Sequence, residues 1–132
     1  MTVFVDTSAI YAFLDADDAN HAGADHSWRQ ILEQRSTLLT SNYVLLEVSA
    51  LLQACIGSAA LRTFHADIEP LLQIDWISER RHHMAVATVL TTERKKLSVV
   101  DCVSFQCMRE HGVRTAFCFD RHFREQGFET IP

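Results

Sequence analysis

Four acidic residues of this 132-residue sequence stand beside strongly apolar stretches: Asp6, Glu47, Asp101 and Asp120. Carboxylates that converge repel one another unless a cation lies between them. Mg²⁺ and Mn²⁺ bind oxygen ligands of this kind, and Mg²⁺ keeps several of its waters. Such an ion activates water and stabilises charge on a phosphate. The chemistry that these residue types could perform is therefore metal-assisted phosphodiester hydrolysis, without a nucleophile from the protein.

Each of the three aspartates also has a purely structural explanation. Asp6 follows the run VFV and precedes TSAI, where it could cap a helix. Asp101 lies three residues after Ser98, which is the spacing of a capping box. Asp120 precedes a possible last helical turn. Taken singly, these residues leave the capping and metal-binding explanations equally open.

Glu47 favours the metal-binding explanation because no helix cap accounts for it. It lies inside the run VLLEVSALL, on the helix face that carries Val44 and Leu51. Glu is rarely buried unless it is paired or bound to a metal. No Lys or Arg occurs between Arg35 and Arg62 to pair with it. A solvated Glu at the edge of the apolar face remains the alternative.

The elements that position these residues alternate between strand and helix along the chain. Predicted strands are residues 2–5, 36–40, 74–77, 115–119 and 128–131. Predicted helices are residues 7–14, 21–34, 43–56 capped by Asn42, 58–72, 79–94 capped by Ser78 and 99–111 capped by Ser98, with one short turn after Asp120. This alternation predicts an α/β fold, a three-layer sandwich with a mainly parallel sheet of about five short strands between helices. We expect one domain spanning residues 1–132.

Ligands of such sheets bind beyond the carboxyl ends of the strands. Asp6 and Asp120 each follow a predicted strand directly. The fold therefore predicts that the two carboxylates share one edge of the sheet, although they are far apart in sequence.

The charge distribution argues against nucleic-acid binding through overall charge, because the formal net charge is −5. Residues 1–75 carry three Arg against ten acidic residues, whereas residues 76–132 carry nine Lys or Arg against seven. The basic groups are Arg80-Arg81-His82-His83, Arg94-Lys95-Lys96 and the segment 121–124. These groups either follow a phosphate backbone locally or are solvated helix faces.

The remaining bulk features exclude several classes of protein. No apolar run is long enough for a membrane span, and the N-terminal segment lacks the features of a signal peptide, so we expect a cytoplasmic protein. The four cysteines match no disulfide framework. Cys107 and His111 are spaced to share a zinc ion on one helix, but ordinary core packing of the cysteine is the favoured explanation.

Taken together, four segments of the sequence resemble the acidic motifs of PIN-domain ribonucleases, VapC-type toxins in particular. They are VFVDTSA at 3–9, TSNYVLLEV at 40–48, LSVVDCVSF at 97–105 and FCFDRHF at 117–123. The resemblance implies Mg²⁺- or Mn²⁺-dependent cleavage of single-stranded RNA, with the four carboxylates around the metal. It also implies supporting hydrogen bonds from Thr7 and Ser8. Where some members carry a further acidic residue, this chain has Arg121 and His122, which leaves the number of metal ions open.

The same resemblance implies partners. A VapC-type toxin is held inactive by an antitoxin protein, whose segment lies across the first helices, and its chains tend to form homodimers. Large apolar side chains that could line such a groove, or simply pack in the core, are Tyr11, Phe13, Trp28 and Ile31. For contact with the RNA backbone we expect Arg121 first, with Arg80 and Arg81 as weaker candidates.

Other functions remain as alternatives. One is a phosphatase with Asp6 as nucleophile, but that class has a second Asp two residues on, where this chain has Ser8. Another is a catalytically silent α/β module that binds a metal or a partner. A third is an RNA-processing nuclease without an antitoxin. A metal-dependent ribonuclease assay separates the enzymes from the silent module.

Overall fold

The computed structural model of the protein describes residues 1–92 and 97–132. Its centre is a five-stranded sheet in the order β3-β2-β1-β4-β5, and every neighbouring pair is parallel. The strands are β1 (Thr2–Val5), β2 (Thr37–Ser41), β3 (Gln73–Asp75), β4 (Thr115–Phe117) and β5 (Glu129–Ile131). The predicted α/β fold with about five short strands is therefore confirmed.

Helices flank this sheet in the described part of the chain. They are α1 (Thr7–Leu14), α2 (His21–Glu33), α3 (Asn42–Cys55), α4 (Ser58–Thr63), α5 (Glu79–Thr91), α6 (Val99–Glu110) and α7 (His122–Glu125). None of them is long and apolar enough to cross a membrane. The predicted end of the fifth helix at Arg94, and the basic group Arg94-Lys95-Lys96, lie outside the described residues.

Both faces of the sheet are covered, as the apolar character of β1 predicts. Successive strand residues point to opposite faces, yet Val3, Phe4 and Val5 are all fully buried. A strand buried on both faces is typical of a parallel sheet between two helical layers. The central strand is thus rigidly held, and so is the residue that follows it, Asp6.

The predicted helix 58–72 is wrong in its second half. Helix α4 ends at Thr63, and a π-helical turn (Phe64–Ile68) and a 3₁₀ turn (Glu69–Leu71) follow it. Pro70 explains the break, because proline has no backbone N–H and its ring clashes with the preceding helical turn. Phe64 and Ile68 are nevertheless buried, so core packing holds the widened turn in place.

The predicted cap of the third helix is wrong by one residue. The hydroxyl of Ser41, not the side chain of Asn42, accepts a hydrogen bond from the Val44 N–H at 3.3 Å. The Asn42 side chain instead accepts from the N–H of Ile77 at 2.8 Å. Asn42 thereby joins the start of α3 to the segment that follows β3.

The apolar residues proposed for a partner groove divide into two kinds. Trp28 and Ile31 are core residues, with only 6% and 2% of their surface exposed, so the core-packing explanation is right for them. Tyr11 and Phe13 are partly buried, and the Phe13 ring lies 5.4 Å from that of Trp28. Of the four predicted residues, Tyr11 and Phe13 on α1 are the two that offer surface to a partner.

Candidate metal centre

Asp6 lies where β1 turns into α1, at the carboxyl edge of the sheet. Its backbone N–H donates to the carbonyl of Phe117 at the end of β4, 3.0 Å away. Its side chain caps α1 by accepting from the N–H and the hydroxyl of Ser8, at 3.1 and 2.6 Å. The Ser8 hydroxyl in turn accepts from the N–H of Phe119 at 2.9 Å. Ser8 therefore fixes the Asp6 carboxylate against the segment that carries Asp120.

The environment of Asp6 is costly for a negative charge. The pKa of Asp6 is raised to about 7: burial is the largest cause, the two hydrogen bonds from Ser8 oppose it, and the charges of Asp101 and Asp120 add to it. The three aspartates of the sequence motifs therefore interact electrostatically in the folded protein. A proton or a cation relieves the repulsion among them.

Asp101 lies in the first turn of α6 and serves the predicted capping box. The Ser98 hydroxyl accepts from the Asp101 N–H at 3.0 Å, and Oδ2 of Asp101 accepts from the Ser98 N–H at 3.1 Å. Burial raises the pKa of Asp101 above its ordinary value, and the charge of Asp120 adds to this. Capping and proximity to other carboxylates thus occur together at this residue, so they are not exclusive explanations.

Asp120 and His122 complete a compact group of donor atoms with Asp101. One donor atom from each of the three side chains lies within 4.8 Å of the other two. An octahedral ion about 2.1 Å from its ligands holds opposed ligands about 4.2 Å apart, so little movement is needed to bind one. In the sequence, His122 is visible only as a departure from the acidic motif. Its position two residues after Asp120 was the available signal.

Glu47 lies on α3 and shares a cleft with the start of α6. Its side chain is partly exposed and lines a cleft of about 540 Å³ together with Val100, the residue before Asp101. On its helix face Val44 is buried and Leu51 is exposed, so Glu47 stands at the border of the core. The compact donor group of the described residues does not include Glu47. Glu47 is therefore a residue of the cleft wall and not a member of the donor group.

Thr7 adds a polar group without a partner. Its side chain is 5% exposed, and its hydroxyl makes no hydrogen bond within residues 1–92 and 97–132. A buried hydroxyl is costly unless it is hydrogen-bonded. A bound water or a metal-bound water next to Asp6 would satisfy it. This orphaned hydroxyl and the oxygen-rich donor set both fit a hydrated divalent cation.

Of the predicted phosphate contacts, Arg121 lies beside the acidic group. Its side chain is 73% exposed and approaches Glu125 at 3.6 Å. Arg121 and Arg124 line a pocket of about 200 Å³ that also includes Asp120. Arg80 is exposed on α5. Both Arg80 and Arg121 are accessible to a polyanion.

Arg81 does not suit the predicted role in RNA binding. Its guanidinium donates to both carboxylate oxygens of Asp75 at 2.8 Å and lies 3.1 Å from Glu110. Asp75 also interacts with Cys107 at 3.2 Å and with His111 at 3.0 Å. Arg81 already supplies the cation at this carboxylate, which argues against the zinc alternative for Cys107 and His111.

Arg81→Ala is expected to destabilise the protein by about 2 kcal/mol, because it leaves the mostly buried Asp75 carboxylate without its charge partner. The ion pair lowers the pKa of Asp75 well below its ordinary value. Urea unfolding measures the loss, with Arg80→Ala as the matched control because Arg80 is exposed on the same turn. Equal stabilities of the two variants would refute a structural role for Arg81.

A parallel α/β sheet with carboxylates gathered at its carboxyl edge has the arrangement expected of a metal-dependent hydrolase. The sequence model of the PIN-domain family matches residues 3–129, so the chain belongs to this family. The family resemblance predicted from the four motifs is thereby confirmed. The enzyme class predicted with it, a metal-dependent nuclease, follows from membership of this family.

Two relatives indicate which branch of the family the chain resembles. It is 30% identical to the 23S rRNA-specific endonuclease VapC20 of Mycobacterium tuberculosis, over 98% of this chain and 97% of that protein. The crystal structure of VapC20, described as a sarcin–ricin loop cleaving toxin, matches with a TM-score of 0.87 over 99% of this chain and 100% of that chain. FitAcB from Neisseria gonorrhoeae matches at 15% identity with a TM-score of 0.71, over 99% and 97% of the two chains, which shows a shared fold.

Proposed function

We propose that the protein is an endoribonuclease that hydrolyses phosphodiester bonds of single-stranded RNA at the carboxyl edge of its sheet. The observation that carries the proposal is the convergence of Asp6, Asp101 and Asp120 from three separate segments. Neighbouring charges within this group raise the pKa values of Asp6 and Asp101, so keeping the carboxylates ionised together costs free energy. Such a cost is retained in proteins where function requires it. Mg²⁺ or Mn²⁺ is the proposed cofactor, because the donor set is rich in hard oxygen ligands.

Each residue has a defined task in this proposal. The carboxylates of Asp101, Asp120 and Asp6 hold the ion directly or through its waters, while Glu47 faces the approaching substrate from the neighbouring cleft. When bound, the ion supplies an activated water and neutralises charge on the phosphate. Ser8 keeps Asp6 in position because its hydroxyl donates to the Asp6 carboxylate and accepts from the backbone N–H of Phe119. The buried hydroxyl of Thr7, which lacks a protein partner in the described residues, would hydrogen-bond to a bound water.

The proposed substrate is a loop of ribosomal RNA in the cytoplasm. The support is the similarity over nearly the whole chain to VapC20, whose name gives 23S rRNA as its target. Loops present unpaired bases, which proteins recognise far more readily than the deep groove of an RNA duplex. The test is a labelled hairpin with the sarcin–ricin loop sequence. We expect cuts inside the loop and none in a fully paired duplex of the same strand; a duplex cut equally fast would refute loop recognition.

Arg121→Ala is expected to weaken RNA binding and to lower the dependence of log Kd on log salt by about one unit of slope, because one phosphate contact is lost. Binding of a labelled hairpin at several salt concentrations gives the slope. Arg114→Ala is the matched control, since Arg114 is exposed but precedes β4 at the opposite edge of the sheet. An unchanged slope in Arg121→Ala would assign Arg121 to the ordinary surface.

We further propose that the chain is the toxin of a toxin–antitoxin pair and forms a homodimer. The support is its similarity to a VapC toxin, together with the partly exposed aromatic residues Tyr11 and Phe13 on α1. An antitoxin helix would pack its apolar side against them. Light scattering should give twice the mass of one chain at high micromolar concentration. A monomer under these conditions would remove the homodimer from the proposal.

A further inference from the structure

His122 lies against the two carboxylates of Asp101 and Asp120, and the proposed function has given it no task. One of its ring nitrogens is within 4.8 Å of a donor oxygen of each aspartate. Its backbone N–H donates to Oδ1 of Asp120 at 2.9 Å, which ties the two residues together. We propose that His122 is a nitrogen ligand of the metal ion and makes the site bind Mn²⁺ in preference to Mg²⁺. This inference rests on the proposed nuclease site.

The position of His122 is fixed by the packing of its neighbour. Phe123 is fully buried, and its ring lies 6.2 Å from that of Phe4 in β1 and 5.1 Å from that of Phe105 in α6. Helix α7 is therefore anchored both to β1, which directly precedes Asp6, and to α6, whose first turn contains Asp101. A side chain on such an anchored turn needs little reorganisation to bind an ion.

A third carboxylate, that of Glu125, orients the imidazole of His122. Nδ1 of His122 lies 3.1 Å from Oε2 of Glu125. A histidine that binds a metal commonly donates its other ring N–H to a carboxylate, which fixes the tautomer and the ring orientation. With the proton on Nδ1, the lone pair of Nε2 is the one that binds an ion.

An exposed helix pair of the i,i+3 kind would be the ordinary explanation for the contact between His122 and Glu125. The burial of His122 argues against it, because only 13% of its side chain is exposed, compared with 37% for Glu125. A solvated surface pair places both groups in water. His122 is instead largely enclosed, and one of its ring nitrogens lies among the donor atoms of Asp101 and Asp120.

A nitrogen ligand changes which ion the site prefers. Mg²⁺ demands near-ideal octahedral coordination by oxygen, whereas Mn²⁺, although it also binds oxygen ligands well, belongs to the Irving–Williams series and tolerates a nitrogen ligand better. Loss of the imidazole should therefore weaken Mn²⁺ binding by about 10-fold or more and affect Mg²⁺ binding much less. Loss of the orienting carboxylate should weaken Mn²⁺ binding by about 10-fold.

Electron spin-echo spectroscopy of the Mn²⁺-loaded protein tests the ligand directly, because a bound imidazole nitrogen modulates the echo. The wild-type protein should show ¹⁴N modulation, and His122→Gln should lose it. His83→Gln is the matched control, since that histidine lies exposed on α5 and should leave the modulation unchanged. Calorimetry with Mn²⁺ and with Mg²⁺ measures the change in preference, and Glu125→Gln measures the orienting effect.

Absence of ¹⁴N modulation in wild type, or its persistence in His122→Gln, would overturn the assignment. If His122→Gln does not fold, His122→Asp replaces nitrogen by oxygen at the same place, and the wild-type spectrum is decisive in any case. Failure of the nuclease proposal has a different signature. In that case the wild-type protein neither binds Mn²⁺ nor cleaves RNA, whereas failure of the His122 assignment alone leaves both intact.

Discussion

Asp101→Asn is expected to reduce the rate of RNA cleavage at least about 100-fold while leaving α6 intact. The amide keeps the shape of the side chain, and its oxygen can still accept from the Ser98 N–H in the capping box. It removes the negative charge that the proposed ion requires, and even indirect supports of a metal site are worth about 10- to 100-fold. Initial rates on a labelled RNA hairpin in the presence of Mn²⁺ measure the loss. Glu47→Gln should show a loss of the same order.

Ser98→Ala is the matched control for Asp101→Asn, because it breaks the capping box from the other side. It removes the hydroxyl that accepts from the Asp101 N–H but keeps the Asp101 carboxylate. The variant should lose about 1 kcal/mol of stability and retain cleavage. If Asp101→Asn cleaved RNA at the wild-type rate, Asp101 would be a helix cap and nothing more.

Asp6→Asn is expected to stabilise the metal-free protein at pH 8 by about 4 kcal/mol. Burial raises the pKa of Asp6 from 3.8 to about 7, and each pKa unit corresponds to about 1.4 kcal/mol. Below pH 4 the carboxyl is protonated in both states, so it carries no penalty. As the pH rises from about 4 to about 7, only the unfolded state loses its proton readily. Stability therefore falls through this window and stays low above it.

Urea unfolding between pH 5 and pH 8, with a chelator present, measures this difference. Asp75, with its lowered pKa, contributes its own pH dependence below pH 4 and outside this window. Asp25→Asn is the control, because Asp25 is paired with Arg29 on α2, away from the acidic group. Added Mn²⁺ should stabilise wild type far more than Asp6→Asn, by linkage to the bound ion. A wild-type protein as stable at pH 8 as the variant would show that Asp6 is not a strained carboxylate.

The central strand was predictable because it is a short apolar run. The central run Val3–Val5 is buried on both faces, and such runs have few alternatives to a parallel sheet. The order of the strands in the sheet was not predictable, because it depends on pairing between residues that are far apart in sequence. The hydrogen bond from the Asp6 N–H to the carbonyl of Phe117 is one example. Such pairings leave no local signal.

Local chemistry misled the prediction where tertiary contacts compete with it. Ser41 and Asn42 are both good caps, and the side chain of Asn42 is withdrawn from the helix by its bond to the Ile77 N–H, 35 residues away. Pro70 was visible in the sequence, but the π-helical turn before it depends on burying Phe64 and Ile68. Propensity alone could not predict that turn.

The acidic residues of the site were predictable from their flanking patterns, whereas the assignment of basic residues was not. Arg80 and Arg81 are adjacent in sequence, yet one is exposed and the other is enclosed by Asp75 and Glu110. His122 has no flanking pattern of its own, and its place beside Asp101 depends on how α7 packs on α6. Arg121, Asp6, Asp101 and Asp120 keep the tasks predicted for them as proposals, whereas Glu47, predicted to lie around the metal, is now proposed to face the substrate.

The most direct test of the metal-dependent ribonuclease site is cleavage of the RNA hairpin by one preparation of wild-type protein, first with EDTA and then with Mn²⁺ or Mg²⁺ added in excess. The same titration is run in parallel on Asp101→Asn. We expect no cleavage with EDTA, cuts within the loop when either ion is restored, and no recovery in the variant. Cleavage that continues in EDTA, or recovery in Asp101→Asn as complete as in wild type, would contradict it.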